Sequence, residues 1–228
     1  LKLGRPRVTV KLALTLDAKP ALKVGRRAHI TSSGGNAVTM LLRSRATAVA
    51  VGAATAAVDD PALTVRSDGG CVTGRQPLRV VLARTSVPKT SLKLVNDGLA
   101  PALLVVSDVA DQAALRSFAA TGARVVTYPY AAGIRGALQA LATAGVDDVL
   151  VEAGPALITA LYLAECIDEL VIVTAGGMAG NAAPPAFLGP ADAAGSDLVA
   201  RFRAVEATVS GEDAVTVWTP RSGAVIDA

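Results

Sequence analysis

Histidine is nearly absent from this chain of 228 residues, with His29 the only one. A metal site built on several imidazoles is therefore excluded, and a Ser-His-Asp triad could run only through that residue. Placed before Ile30-Thr31-Ser32, His29 reads as a packing or ligand-edge residue rather than a general base. Cysteine is equally scarce: Cys71 and Cys166 are far apart and lack the close second cysteine or histidine of a zinc site. Both are expected to be reduced thiols of a cytoplasmic protein. Aromatic residues make up 3% of the chain, the net charge is only +3, and Lys and Arg are scattered, which argues against nucleic acid as a partner. No apolar run approaches the roughly 18 residues that a membrane span requires, so no membrane partner is expected. No secretory signal is visible either; Leu1 to Arg7 reads as a linker, and the natural protein is expected to extend upstream.

Alanine, valine and leucine are what the chain has in abundance, and hydrophobic residues reach 52%. Short β-branched runs recur at residues 8–14, 48–51, 78–83, 103–107, 124–128, 148–152 and 170–174. Runs that are apolar on both faces suit a parallel sheet covered on both sides. Helices are expected between them at 35–45, 111–121, 134–144 and 155–164, the first capped from the Thr31-Ser32-Ser33 cluster and the last opening on Gly154-Pro155. Two alternating runs, 202–209 and 214–219, joined across Ser210 to Asp213, read as an antiparallel hairpin at the sheet edge. One α/β domain over residues 1–228, with three layers and a largely parallel sheet, accounts for the whole pattern.

Three segments carry the chemistry. The run from Gly52 to Arg66 contains Asp59-Asp60-Pro61 and reads either as a solvated turn or as a ligand-facing loop at a strand end. Val151-Glu152-Ala153-Gly154-Pro155-Ala156-Leu157 has the shape strand, glycine turn, helix start; it is either an ordinary connection or a cradle whose free N–H groups hold phosphate. Lys11, inside an apolar strand, is either a snorkelling edge lysine or an ammonium reaching a ligand. A further loop rich in glycine and proline, residues 176–185, is a candidate site wall.

Taken together, Val10-Lys11-Leu12-Ala13-x-x-Leu16-Asp17, Ile30-Thr31-Ser32, Thr55-x-x-x-Asp59-Asp60-Pro61-x-Leu63-Thr64-x-Arg66 and Val151-Glu152-Ala153-Gly154-Pro155-x-Leu157 resemble, in order and spacing, the reductase domain of the bifunctional riboflavin biosynthesis protein RibD. The resemblance implies a fold similar to dihydrofolate reductase and NADPH-dependent reduction of the ribose of 5-amino-6-(5-phosphoribosylamino)uracil. It further implies that Ala13, His29, Thr55 and Asp59 contact NADPH, with the turn at Gly154, Pro155, Ala156 and Leu157 receiving its phosphates. Arg43, Leu63, Arg66 and Glu152 would contact the substrate, the two arginines at its 5-phosphate. Lys11 would lie near the reacting carbon, Glu152 would grip the pyrimidine or ribose, and a homodimer is implied.

This chain departs from the family pattern in several places. Tryptophan is usual where it has His29, and serine where it has Arg27, which adds a substrate phosphate contact. Leu-Asp-Gly appears as Leu16-Asp17-Ala18, so a turn that wants positive φ carries alanine. Arg84 replaces serine after a strand and is expected to pair with the 2′-phosphate of NADPH. Gly176 to Gly180 replaces Pro-Lys-Leu-Leu-Gly. Neither His-Ala-Glu nor Pro-Cys-x-x-Cys occurs, so no zinc deaminase half is read in this chain, which is either a separated domain or a stand-alone reductase. The alternatives are a reductase of the same fold acting on the undeaminated diaminopyrimidine or on a pterin or folate, and a nucleotide-binding regulator without catalysis.

Overall fold

The computed structural model describes residues 4–20, 30–152, 154–188 and 202–221; Arg27 and His29 lie outside them. Strands β1 (Arg7–Thr15), β2 (Ala48–Gly52), β3 (Leu78–Leu82), β4 (Ala102–Ser107), β5 (Arg124–Tyr128), β6 (Asp148–Val151), β7 (Glu169–Ala175), β8 (Phe202–Ser210) and β9 (Asp213–Pro220) form one sheet in the order β5-β4-β3-β2-β6-β1-β7-β9-β8. The first seven are parallel, and β9 and β8 close the edge antiparallel. Every strand read from the sequence is present, with ends that differ by a residue. Residues 5–7, expected as linker, are tied in: Arg7 opens β1, and Arg5 makes a two-pronged ion pair with Asp168 at 2.6 and 2.8 Å.

The helices are α1 (Ser33–Arg45), α2 (Ala53–Asp59), α3 (Lys93–Asn96), α4 (Gln112–Ala119), α5 (Gly133–Thr143) and α6 (Pro155–Leu163). Strand alternation sends Val8, Val10, Leu12, Leu14, Val149 and Val151 to one face, where they pack with Leu138 and Leu141 of α5 and Ile158 and Leu161 of α6. Val49, Val51, Val81, Leu104 and Leu150 face the other way, against Ala56 of α2, Leu94 of α3 and Leu115 and Phe118 of α4. Leu42 of α1 closes that side, together with Val38 over Val171, Val173 and Val215. Helices on both faces of a mostly parallel sheet give the expected three layers.

Order within the sheet positions the site. The chain moves outward from β2 to β5, then returns and inserts β6 between β2 and β1. The carboxyl ends of β2, β6 and β1 therefore lie side by side, the place where open α/β sheets bind ligands.

Beyond Thr15 the chain turns sharply, with Ala18 at φ +58° and its N–H donating to Thr15 O at 2.9 Å. The turn keeps its left-handed residue although alanine, not glycine, occupies it. Relief of that strain outweighs the added freedom of glycine in the unfolded chain. Ala18→Gly is expected to stabilise the protein by about 0.5 kcal/mol, read from the denaturant midpoint. Asp17 anchors the same turn to the loop after β7, accepting from Thr15 Oγ1 (2.5 Å), Ala179 N (3.0 Å) and Gly180 N (2.7 Å). These bonds, Thr15 first, hold its carboxyl down at about 2. The contribution is therefore complete above the ordinary aspartate value and lost only as pH falls through about 2. The amide resonances of Ala179 and Gly180 should titrate together near that pH, not near 4 as for a free aspartate.

Candidate functional site

Pleating directs Lys11 of β1 and Glu152, the residue after β6, to the α1 face of the sheet. Val10 and Val151, which precede them, are paired in register and point to the opposite face. Arg43, in the last turn of α1, completes the cluster from above: its Nε and Nη2 donate to the two Glu152 carboxylate oxygens at 2.7 and 2.8 Å. The pair is largely shielded, with side chains 14% and 16% exposed. Among the described residues Lys11 has no ion pair within 4 Å. Burial pulls its ammonium below the ordinary lysine value, and Arg43 pushes the same way, while Glu152 and Asp213 oppose them. Burial works against the charges of Glu152 and Arg43 too, but each outweighs that cost in the other, so the carboxyl is held down and the guanidinium up.

Glycine permits the adjoining turn. Gly154 caps α6 with no side-chain acceptor, Pro155 follows at the first helical position, and the N–H groups of Ala156 and Leu157 have no acceptor within the helix. Gly154 N donates to Thr55 Oγ1 at 3.2 Å, and a Cβ at Gly154 would stand 3.3 Å from that oxygen. Thr55 thus ties the start of α2 to the start of α6.

The run from Gly52 to Arg66, expected as a loop throughout, is helical over Ala53–Asp59. The spacing Thr55-x-x-x-Asp59 is one helical turn, so both side chains share a face. Alanine-rich Ala53-Ala54-Thr55-Ala56-Ala57 favours helix and gave the signal that the Asp-Asp-Pro motif obscured. Asp60 then ends the helix in the left-handed region at φ +39°, and its carboxylate accepts from Lys93 N at 2.7 Å. Asp60 and Pro61 shape the loop that leaves the helix.

Leu63 and the arginines separate. Leu63 is 1% exposed, packed in the α2 side of the core, and sits at φ +52°. Its side chain is not available to a ligand; its backbone is held in a strained turn, a feature that concentrates at functional sites. Thr64 joins the arginines: its carbonyl accepts from Arg43 Nη1 at 2.9 Å and its hydroxyl from Arg66 Nε at 2.9 Å. Arg43 therefore has its Nε/Nη2 fork and Nη1 engaged within the protein, whereas Arg66 is exposed and its Nη groups have no partner among the described residues. Gln76, which sequence reading missed, pins this loop by accepting from Val65 N at 2.8 Å and donating to Thr73 O at 2.8 Å.

Ala13 lies on the Lys11 face two residues nearer the carboxyl end of β1. Arg84 follows β3 at the same sheet edge, its guanidinium carbon 4.4 Å from the centroid of the Tyr130 ring. Tyr130 also went unnoticed in the sequence; no motif marks it. Cys71 is exposed, Cys166 is buried, and both are free. No group of metal-ligating side chains occurs among the described residues, and no described helix is long and apolar enough to cross a membrane.

The model of the RibD C-terminal domain matches residues 6–216. The chain belongs to that family. Relatives include the riboflavin biosynthesis protein RibD of Bacillus amyloliquefaciens, 28% identical over 98% of this chain and 60% of its own length. A 2,5-diamino-6-ribosylamino-4(3H)-pyrimidinone 5′-phosphate reductase of Archaeoglobus fulgidus is 31% identical over 74% of this chain and 79% of its own. Among solved structures, RibD of Acinetobacter baumannii aligns over 96% of this chain and 59% of its own at 25% identity and a TM-score of 0.81. A pyrimidine reductase-like protein of Corynebacterium diphtheriae gives 0.78 at 16% identity, over 96% of this chain and 93% of its own, a likeness of fold. The chain thus spans about three fifths of these two RibD proteins and most of the two shorter proteins.

Proposed function

We propose that this RibD C-terminal domain is an NADPH-dependent reductase of 5-amino-6-(5-phosphoribosylamino)uracil, forming the ribitylamino product. The observation that carries the proposal is the meeting, where β6 ends beside the middle of β1, of Lys11 and the Arg43–Glu152 pair near the uncapped start of α6. The donor set fits a pyridine dinucleotide: the free N–H groups of Ala156 and Leu157 suit its phosphates, with Thr55 beside them at Gly154, and Asp59 and Ala13 are proposed to contact the rest of the cofactor. When bound, the reduced nicotinamide supplies a hydride to the ribose C1′.

The chain's own residues then have three tasks. Lys11, whose lowered proton affinity makes it the readier donor, protonates the ring oxygen as the sugar opens. Glu152 accepts hydrogen bonds from the substrate while Arg43 fixes its orientation, and Arg66, with its free guanidinium edge, takes the 5-phosphate. Leu63 meets the substrate through its backbone. Holding both reactants face to face, with no covalent nucleophile, accounts for the catalysis.

Arg84 stacked on Tyr130 is placed to pair with the 2′-phosphate of NADPH. Arg84→Ala is expected to raise the KM for NADPH about tenfold while leaving that for NADH unchanged, measured as a ratio of the two. His29 and Arg27 keep their proposed contacts with cofactor and substrate phosphate. A homodimer, a cytoplasmic setting and fusion to a zinc deaminase in the full-length protein belong to the same reading.

The Archaeoglobus relative, named for the undeaminated diaminopyrimidine, supports a second substrate for the same site. The test is NADPH oxidation with the deaminated and undeaminated ribosylaminopyrimidine phosphates and with dihydrofolate, side by side. Turnover of the deaminated compound supports the proposal; turnover of dihydrofolate alone, or tight NADPH binding with no turnover, overturns it.

A further inference from the structure

Helix α1 carries Arg43, yet little of it is sunk in the core. Of its 13 residues only Gly35 and Thr39 are buried, with Val38 and Leu42 partly packed on Val171, Val173 and Val215. Apolar burial this thin leaves the position of the helix along its axis weakly determined. Polar contacts at its two ends supply what is missing.

One end is the Arg43–Glu152 pair. The other is Asp213, the first residue of β9, which is 1% exposed. Its Oδ2 accepts from Ser32 N (2.9 Å), Ser32 Oγ (2.7 Å) and Gly35 N (2.9 Å). The Ser32 hydroxyl in turn accepts from Gly34 N at 3.1 Å, capping the helix, and Ser210 Oγ donates to Gly34 O at 3.0 Å. Contact is close at both glycines: a Cβ at Gly34 would lie 2.0 Å from the backbone oxygen of Ser210, and one at Gly35 2.6 Å from the side-chain Oδ2 of Asp213. The Gly34-Gly35 pair exists because nothing larger fits between helix and hairpin. A buried carboxylate at the positive end of a helix is well placed electrostatically. Asp213 also shares a sheet face with Lys11 and contributes to the charge that surrounds it.

We propose that Asp213 is a positioning residue for the site: by gripping Ser32 and Gly35 it fixes where α1 begins, and so holds Arg43 at the far end in reach of Glu152. Residues on the C-terminal hairpin, outside the site itself, thereby set the geometry of the substrate half. The cradle for the cofactor phosphates, built on α2 and α6, does not depend on them.

The inference uses the proposed reductase activity only for its kinetic arm. Asp213→Ala is expected to raise the KM for the pyrimidine substrate about tenfold while the Kd for NADPH, read by fluorescence, stays within about twofold of wild type. Asp213→Asn, which keeps an acceptor oxygen, should restore most of that loss. In the free protein, the NMR resonance of Arg43 Nε–H, sensitive to its bond with Glu152, should shift in the alanine variant and return in the asparagine variant. An unchanged KM and unchanged resonance, or equal losses of NADPH and substrate affinity, would overturn the proposal. Should the alanine variant fail to fold, Ser32→Ala removes one of the three bonds to Asp213 together with the Gly34 cap, and should shift the same resonance and raise KM about threefold; no change in either is the contrary result. If the wild-type protein reduces no pyrimidine, the reductase reading fails by itself, and the Arg43 resonance alone decides the role of Asp213.

Discussion

Lys11→Met is expected to lower turnover by about a thousandfold while NADPH binds as tightly as in the wild type. Methionine keeps the apolar stem that packs on the α1 face, so the fold is retained, and what is lost is the one ammonium facing Glu152 from β1. Binding of the dinucleotide rests on the start of α6 and on Thr55, which the substitution leaves alone. In the wild type, Lys11 is below its ordinary value of 10.5 chiefly through burial. Turnover should therefore fall as pH rises through that lowered value, and the methionine variant should lack this alkaline limb. Stopped-flow oxidation of NADPH together with cofactor fluorescence separates the two effects. Unchanged turnover would remove Lys11 from the chemistry.

Glu152→Gln is the second large effect, and it acts on both stability and rate. The carboxylate is shared by both prongs of Arg43 and faces Lys11; without its charge two cations confront each other in a shielded place. Removing one partner of such a pair costs about 3 kcal/mol of stability, to be read from urea unfolding. Turnover should fall by at least about a hundredfold. The pH dependence has a definite sign. Because the folded carboxyl is held below its ordinary value of 4.5, its contribution is complete above that pH and lost as pH falls through the lower folded value. The glutamine variant should lose less stability on acidification than the wild type.

Much of this architecture is legible in the chain. Short β-branched runs, apolar on both faces and separated by helical stretches, lead to the parallel order, and the alternating runs about the Ser210 to Asp213 turn lead to the hairpin, because both signals are local. The Ala53–Asp59 helix was hidden by the Asp-Asp-Pro motif at its end: turn residues dominate a reading by motif, while the helix is set by the alanines before them. Lys11, Arg43 and Glu152 could each be named from the sequence, but their meeting could not, since it depends on β6 returning between β2 and β1. That the Arg43 fork is spent on Glu152, that Leu63 points into the core, and that Asp213 belongs to a helix start rather than a turn are all tertiary facts. No spacing along the chain encodes them. Tyr130 beneath Arg84 is a case of the same kind, joining two strand ends 46 residues apart.

The central claim is that hydride passes from NADPH to the sugar carbon of a phosphorylated ribosylaminopyrimidine held by these residues. Mass spectrometry of the product formed with NADPH carrying deuterium at both C4 positions of the nicotinamide tests it most directly. The account predicts a ribitylamino product heavier by about one mass unit, with the label at C1′. Product without the label, label on the pyrimidine ring, or no product from either ribosylaminopyrimidine phosphate would contradict it.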